Sequence, residues 1–285
     1  TNATQLGLTI VYPPNDFKIN VMPWLNVTFT ADPDGDVINI TYYINGKINQ
    51  TNLTNTTFEA SDGVYILNVS LHDNVTPLTY SANVTVNFTI DRTSPVVNTT
   101  FNTTSPRNID FLNFTGNVTD NIDLLSANWT INFSTGKVYM NYTLSGTSAQ
   151  VSNTTNLLGL AGGTLLNFTL YVTDTSNNVK QNSTVFTITD ALVPVVNTSL
   201  NKSLSNINQN DIINISANIT DETGLSFCQI IINQSGPTAI EIINISLSGT
   251  SGQCSNSSAV TLTTGGVINY TIRVNDTSNN FRTND

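Results

Sequence analysis

The 285 residues are 39% hydrophobic and only 10% charged, with 9 Lys plus Arg against 19 Asp plus Glu and a formal net charge of -10. Phosphate binding needs clustered positive charge, so this balance argues against nucleic acid as a partner. The lone histidine, His72, rules out a histidine-based metal cluster, and no apolar run approaches the roughly 18 residues of a transmembrane segment.

Taken in order, the chain reads as short strands and turns throughout. Strands are expected near Leu8 to Tyr12, Leu25 to Thr30, Val37 to Ile44, Thr57 to Glu59, Val64 to Leu71 and Asn83 to Ile90, where β-branched and aromatic residues alternate with polar ones. Asn45-Gly46, just after Tyr42 and Tyr43, is a tight hairpin signal. No stretch keeps a helical period for the dozen or so residues a helix needs.

Self-similarity then appears at about a hundred residues. Pro95-Val-Val-Asn-Thr returns at Pro194, NVTDNIDLLSANWTIN from Asn117 returns as NITDETGLSFCQIIIN from Asn218, and YVTDTSNNV from Tyr171 returns as RVNDTSNNF from Arg273. The first unit is more distant, with ADPDGDVINITYYIN from Ala31 and SLHDNV from Ser70 in the same relative places. The expectation is three tandem domains, 1–91, 92–190 and 191–285, all-β, each an immunoglobulin-like sandwich of six or seven short strands. The third unit stops soon after TSNN, so its last strand is expected to be cut off or to be supplied by a neighbouring subunit.

The stretch from Asn83 to Asp91, NVTVNFTID, carries two patterns at once. Val84, Val86, Phe88 and Ile90 fall on one parity, and Asn83, Thr85, Asn87 and Thr89 on the other, so the two sets must face opposite sides of a strand. Asn-x-Ser/Thr is the acceptor signal for N-glycosylation, and the chain holds 29 of them. An Asn- and Thr-rich composition produces many by chance, but chance does not favour the outward parity of strands. The acceptors assigned here to outward faces or strand ends are Asn26, Asn39, Asn68, Asn83, Asn87, Asn113, Asn117, Asn128, Asn132, Asn141, Asn167, Asn182, Asn214, Asn218, Asn244 and Asn269. With so few charges, hydroxyls, amides and N-linked glycans must solvate the surface.

The units resemble the tandem immunoglobulin-like repeats of prokaryotic, especially archaeal, surface proteins. The residues that carry the likeness are an opening strand leading into Pro13-Pro14-Asn15, the DPDGD turn, the Ile-Asn-Gly hairpin and the Val-Thr-Asp-x-Ser-Asn-Asn closing segment. The resemblance implies fold and a location outside the cell, and no catalytic activity. No acceptor has the acidic residue two positions earlier that the bacterial signal wants, which favours an archaeal or eukaryotic glycosylation system.

The remaining candidate sites have modest readings. Asp32, Asp34 and Asp36 alternate around a Gly, which is either an ordinary turn or the start of a calcium loop lacking its distal Glu. Asp120 with Asp123, and Asp221 with Glu222, hold the comparable place in the later units with fewer carboxylates. Cys228 and Cys254 suit a disulfide, with free buried thiols as the alternative. Gly162-Gly163 and Gly265-Gly266 read as turns before strands, and Trp24 and Trp129 as core or strand anchors. No carboxylate pair or Ser-His-Asp set stands out, so a non-enzymatic role is expected, without an organic cofactor.

These readings converge on an extracellular structural protein: a subunit or segment of a surface filament, pilus-like fibre or surface layer that associates with copies of itself head to tail or by strand donation. The alternative is the repeat stalk of a cell-surface adhesin whose binding domain lies outside this chain.

Overall fold

The computed structural model describes residues 7–29, 37–51, 56–73, 81–133, 136–234, 240–263 and 265–285. Its regular structure is β throughout, apart from one 3-10 turn at Leu204–Asn206. Three hydrophobic cores follow one another along the sequence, drawn from Leu8 to Ile90, Val97 to Ile188 and Ile213 to Val274. The chain is three tandem immunoglobulin-like β-sandwiches.

The first sandwich contains β1 (Leu8–Tyr12), β2 (Phe17–Ile19), β3 (Trp24–Phe29), β4 (Val37–Ile44), β5 (Lys47–Thr51), β6 (Thr56–Thr57), β7 (Gly63–Asp73) and β8 (Ser81–Ile90). One sheet runs β1-β3-β6 and the other β2-β8-β7-β4-β5. Among the described strands only the β2–β8 pair is parallel. Asn45 and Gly46 turn the β4–β5 hairpin with φ of 49° and 77°, the positive angles that a two-residue turn between twisted strands requires.

In β8 the alternation holds for all but one residue. Val86, Phe88 and Ile90 are buried while Asn83, Thr85 and Asn87 are exposed. Thr89, expected outward, is buried, because β8 is flanked there on both sides, with Lys18 of β2 and Val64 of β7 opposite it. Trp24 is not a core anchor: it is 56% exposed. His72 lies within β7.

The second sandwich contains β9 (Val96–Phe101), β10 (Phe111–Thr119), β11 (Leu124–Phe133), β12 (Gly136–Thr143), β13 (Ser148–Asn156), β14 (Leu165–Asp174) and β15 (Val179–Thr187). Its sheets run β9-β10-β13 and β12-β11-β14-β15. Trp129 is fully buried between them, edge-on to Phe114 at 5.0 Å and to Phe101 at 6.3 Å between ring centroids. Gly116 lies where a Cβ would fall 2.2 Å from Leu170 Cδ2, so the close approach of β10 to the opposite sheet depends on its missing side chain.

The third sandwich repeats this plan with β16 (Val195–Leu200), β17 (Ile212–Thr220), β18 (Leu225–Gln234), β19 (Ile240–Ser246), β20 (Ser251–Ala259), β21 (Ile268–Asp276) and β22 (Phe281–Asn284), in sheets β16-β17-β20 and β19-β18-β21-β22. Cys228 and Cys254 form a disulfide, S–S 2.00 Å, that ties β18 of one sheet to β20 of the other. Cys228 stands opposite Val274 as Ala127 stands opposite Val172, and Cys254 opposite Ala217 as Val151 opposite Gly116. A covalent tie thus occupies the place where the second sandwich packs Ala and Val. The strand expected to be missing is present in part: β22 pairs with Ile272 to Asn275, whereas its counterpart β15 pairs along β14 as far as Leu165.

Candidate metal centres at the two domain junctions

The chain passes from one sandwich to the next through an aspartate. Asp91 follows the last residue of β8, is fully buried, and donates its amide to Ile19 O at 2.8 Å. Two aspartates of the second sandwich meet it: Asp120, which follows β10, and Asp174, the last residue of β14. A carboxylate oxygen from each lies within 4.8 Å of the others.

Asp side chains at strand ends accept from amides a few residues on, which closes the following turn. Asp120 Oδ2 accepts from the amides of Ile122 at 2.8 Å and Asp123 at 3.0 Å, and Asp174 Oδ1 from those of Ser176 at 2.8 Å and Asn178 at 2.9 Å. Asp91 Oδ1 accepts from Thr93 N at 3.2 Å. The second oxygens are left over. Asp91 Oδ2 and Asp120 Oδ1 are buried with no hydrogen-bond partner, while Asp174 Oδ2 accepts from Asn178 Nδ2 at 2.8 Å. Asn178 Nδ2 also donates to the main-chain oxygen of Asp91 at 2.9 Å, across the junction.

One repeat later the arrangement recurs. Asp190 follows the second sandwich, Asp221 follows β17 and Asp276 ends β21; all three are buried, with oxygens again within 4.8 Å. Asp221 Oδ1 accepts from Thr223 N at 2.9 Å and Gly224 N at 2.8 Å, and Asp276 Oδ1 from Ser278 N and Asn280 N, both at 2.8 Å. Asp190 Oδ2 and Asp221 Oδ2 are buried and unpartnered. The second junction carries additional ties. Buried Asn108 donates Nδ2 to Asp190 Oδ1 at 2.8 Å and to Glu222 Oε1 at 2.6 Å, and Gly162 N donates to Thr223 Oγ1 at 2.8 Å. A Cβ on Gly162 would fall 2.7 Å from Asp190 Cβ and 3.2 Å from Thr223 Cγ2 of the third sandwich, so this glycine permits the close packing at the junction.

The electrostatics reflect crowding. Burial pushes the Asp91 carboxyl above the usual carboxylate range, and the neighbouring charges of Asp120 and Asp174 push it the same way. Burial raises Glu222, and a hydrogen bond to Asp190 and the charges of Asp221 and Asp190 add to it. At Asp190 burial also acts upward, but the hydrogen bond from Asn108 to Oδ1, with the polar side chains of Thr223, Ser278 and Glu222 close by, outweighs it and holds the carboxyl below its usual range. Glu222 is therefore the member of that pair that takes up a proton first as pH falls. Three hard oxygen donors at this spacing are the kind of ligand set that takes a divalent cation of the calcium and magnesium type.

The sequence-expected residues divide among three places. Asp32, Asp34 and Asp36 lie outside the described residues. Asp120 and Asp123 do not act as a pair: Asp123 Oδ1 accepts from Gly146 N at 2.7 Å and Oδ2 from Lys18 Nζ of the first sandwich at 3.3 Å, away from the cluster. Asp221 enters the second cluster, and Glu222 sits beside it.

Among the acceptors, Asn83, Asn87, Asn113, Asn117, Asn141, Asn214, Asn218, Asn244 and Asn269 are exposed, and Asn26, Asn68, Asn128, Asn132, Asn167 and Asn182 are half-buried. The side chain of Asn39 lies outside the described residues. The half-buried group includes Asn182, whose Nδ2 donates to Thr99 Oγ1 at 3.2 Å, and Asn132, whose Oδ1 is buried.

No family model matches the chain, and no curated protein matches it. Solved structures do. The chain is similar to fibronectin(III)-like modules of Clostridium thermocellum CbhA at 13% identity, over 65% of this chain and 95% of that one, with a TM-score of 0.36. It is similar to the tetra-tandem repeat in the extending region of a large adhesion protein at 19% identity, over 98% and 72% of the two chains, with a TM-score of 0.44. It is also similar to a Ca2+-stabilized adhesin by which an Antarctic bacterium binds ice, at 12% identity, over 99% and 72% of the chains, with a TM-score of 0.37.

Proposed function

We propose that the chain is a structural segment of an extracellular surface assembly, a filament or surface layer of stacked, densely N-glycosylated sandwiches without catalytic activity. The observation that carries this reading is the placement of the acceptors. Of those assigned from sequence and described with side chains, none is buried, while the residue between Asn and Ser/Thr is a core side chain at Val27, Val69, Phe88, Phe114, Val118, Trp129, Phe168, Ile215 and Ile219. Such a surface is solvated by sugar rather than by charge, and the β-cores beneath supply length and resistance to bending. Self-association through head-to-tail contacts or strand donation is part of the same reading.

The tight junctions support a second role equally well, that of a stalk holding a binding domain away from the cell. Side-chain hydrogen bonds cross both domain boundaries, which is what a stiff spacer needs. Removing glycans from native material tests the shared premise: solubility falls and proteolysis speeds up if sugar is the solvating layer, and unchanged behaviour counts against it. Sedimentation of the glycosylated chain then separates the two roles, because a fibre subunit self-associates and a stalk stays monomeric.

A further inference from the structure

Each junction contains carboxylate oxygens that have been taken out of water and given nothing to bind. Asp91 Oδ2 and Asp120 Oδ1 at the first, and Asp190 Oδ2 and Asp221 Oδ2 at the second, are buried without a hydrogen-bond partner. An unpaired buried charge is costly, and three carboxylates within 4.8 Å repel one another as well. No cationic side chain answers them. The ion pairs among the described residues join Lys18 to Asp123, Arg92 to Asp62, Arg107 to Asp110 and Lys202 to Asp211, and none reaches the six clustered aspartates.

We propose that each junction binds one calcium ion, held by Asp91, Asp120 and Asp174 at the first and by Asp190, Asp221 and Asp276 at the second. The donors are all carboxylate oxygens, which selects a hard cation and disfavours zinc or copper. Magnesium demands near-octahedral geometry and gives up its waters reluctantly, whereas calcium accepts several carboxylates in irregular geometry, so three carboxylates gathered at a buried junction suit calcium better. Flexible coordination by calcium also lets water complete the shell.

One ligand comes from the end of one sandwich and two from the next, so the ion fastens neighbouring domains to each other. The Asx-type hydrogen bonds hold the other oxygen of Asp91, Asp120 and Asp221 and fix the direction of the free one. That the same three-aspartate set recurs one repeat later indicates a property of the repeat rather than of one loop. The inference does not depend on glycosylation.

The test is equilibrium dialysis of the chelator-stripped chain against calcium from micromolar to millimolar concentration, with bound metal measured directly. Asp120→Asn and Asp221→Asn are suited to it, because the remaining carbonyl oxygen of Asn can keep the turn while the free carboxylate oxygen is lost. Each variant is expected to bind one calcium fewer than the unaltered chain, and the double variant two fewer. Calcium is also expected to slow proteolytic cutting within 92–95 and 191–194 in the unaltered chain and not in the double variant. A folded unaltered chain that binds no calcium at millimolar concentration, or a folded double variant that binds as many ions as the unaltered chain, would overturn the proposal. Should the double variant fail to fold, the proteolysis comparison on the unaltered chain with and without calcium decides, and no protection refutes it.

Discussion

The side-chain amide of Asn178 donates to the main-chain oxygen of Asp91, 2.9 Å away in the preceding sandwich, and Asn280 stands in the same relation to Asp190 at 3.5 Å. In both cases the Asn is the last of the TDTSNN or NDTSNN turn, and its amide nitrogen also ties down the turn's own aspartate, Asp174 or Asp276. One side chain therefore closes a loop inside its domain and fastens that loop to the domain before it.

Asn178→Ala removes the donor from two main-chain oxygens, Asp91 O and Thr93 O, and from Asp174 Oδ2. Leaving buried acceptors unpaired costs about 1–3 kcal/mol. The expected result is a lowered denaturation midpoint for the second sandwich, read from the fluorescence of buried Trp129. An unchanged midpoint would mean that the junction bond carries no stability.

The disulfide is confined to one domain. Closing the 26-residue separation between Cys228 and Cys254 stabilises by about 3–4 kcal/mol in the chain-entropy picture. Reduction is expected to lower the calorimetric transition of the third sandwich and leave the other two in place. Equal shifts in all three would show that the domains unfold as one unit.

Gly116→Ala puts a methyl group 2.2 Å from Leu170 Cδ2 and 3.2 Å from Val151 Cγ2, inside a core where Leu170 is fully buried. Overpacking of this kind costs about 1–3 kcal/mol. The third sandwich already has Ala217 at the matching register, opposite the disulfide rather than a Leu-Val contact, so the penalty belongs to the second alone. Urea unfolding of the variant checks it, and a stability equal to that of the unaltered chain would contradict the packing described.

Asp62 connects the linker to its own domain, accepting from Arg92 N and Arg92 Nε, both at 3.1 Å, and from Thr93 Oγ1 at 2.6 Å. Burial acts upward on its carboxyl, but these hydrogen bonds and the Arg92 charge win and hold it below the usual carboxylate range. A depressed folded-state value gives a contribution that is complete above the unfolded value of about 3.9 and is lost as pH falls through the folded one. Asp62→Asn is expected to flatten the acid limb of the stability curve below about pH 4, with little pH dependence added above it. An acid limb identical to that of the unaltered chain would exclude this carboxylate as a contributor.

The fold was largely legible because alternation and repetition are backbone properties. Val37 to Ile44 is a run of β-branched and aromatic residues closed by the Asn45-Gly46 turn, and its expected bounds match β4. Lys47–Thr51 was missed because β5 is an edge strand whose side chains face mostly water and leave no alternation to read, and Phe17–Ile19 is a three-residue strand paired in parallel with β8.

The junctions were legible only in pieces. Asp120 and Asp221 stand out as repeat-equivalent acids, but grouping Asp120 with its chain neighbour Asp123 followed sequence proximity, and the fold sends the two to different partners. Asp91 with Asp190, and Asp174 with Asp276, recur at matching points of the repeat, which was the available signal. That all three come together required knowing that two loops of one sandwich close over the final strand of the previous one.

Glycopeptide mass spectrometry of the native protein tests the glycosylated surface most directly. Sugar is expected on the exposed strand positions, foremost Asn83, Asn87, Asn113, Asn117, Asn214 and Asn218, with lower occupancy at Asn132, whose Oδ1 is buried, and at Asn182, whose amide is hydrogen-bonded to Thr99. Unmodified peptides across those exposed positions would contradict a sugar-solvated surface and with it the proposed role.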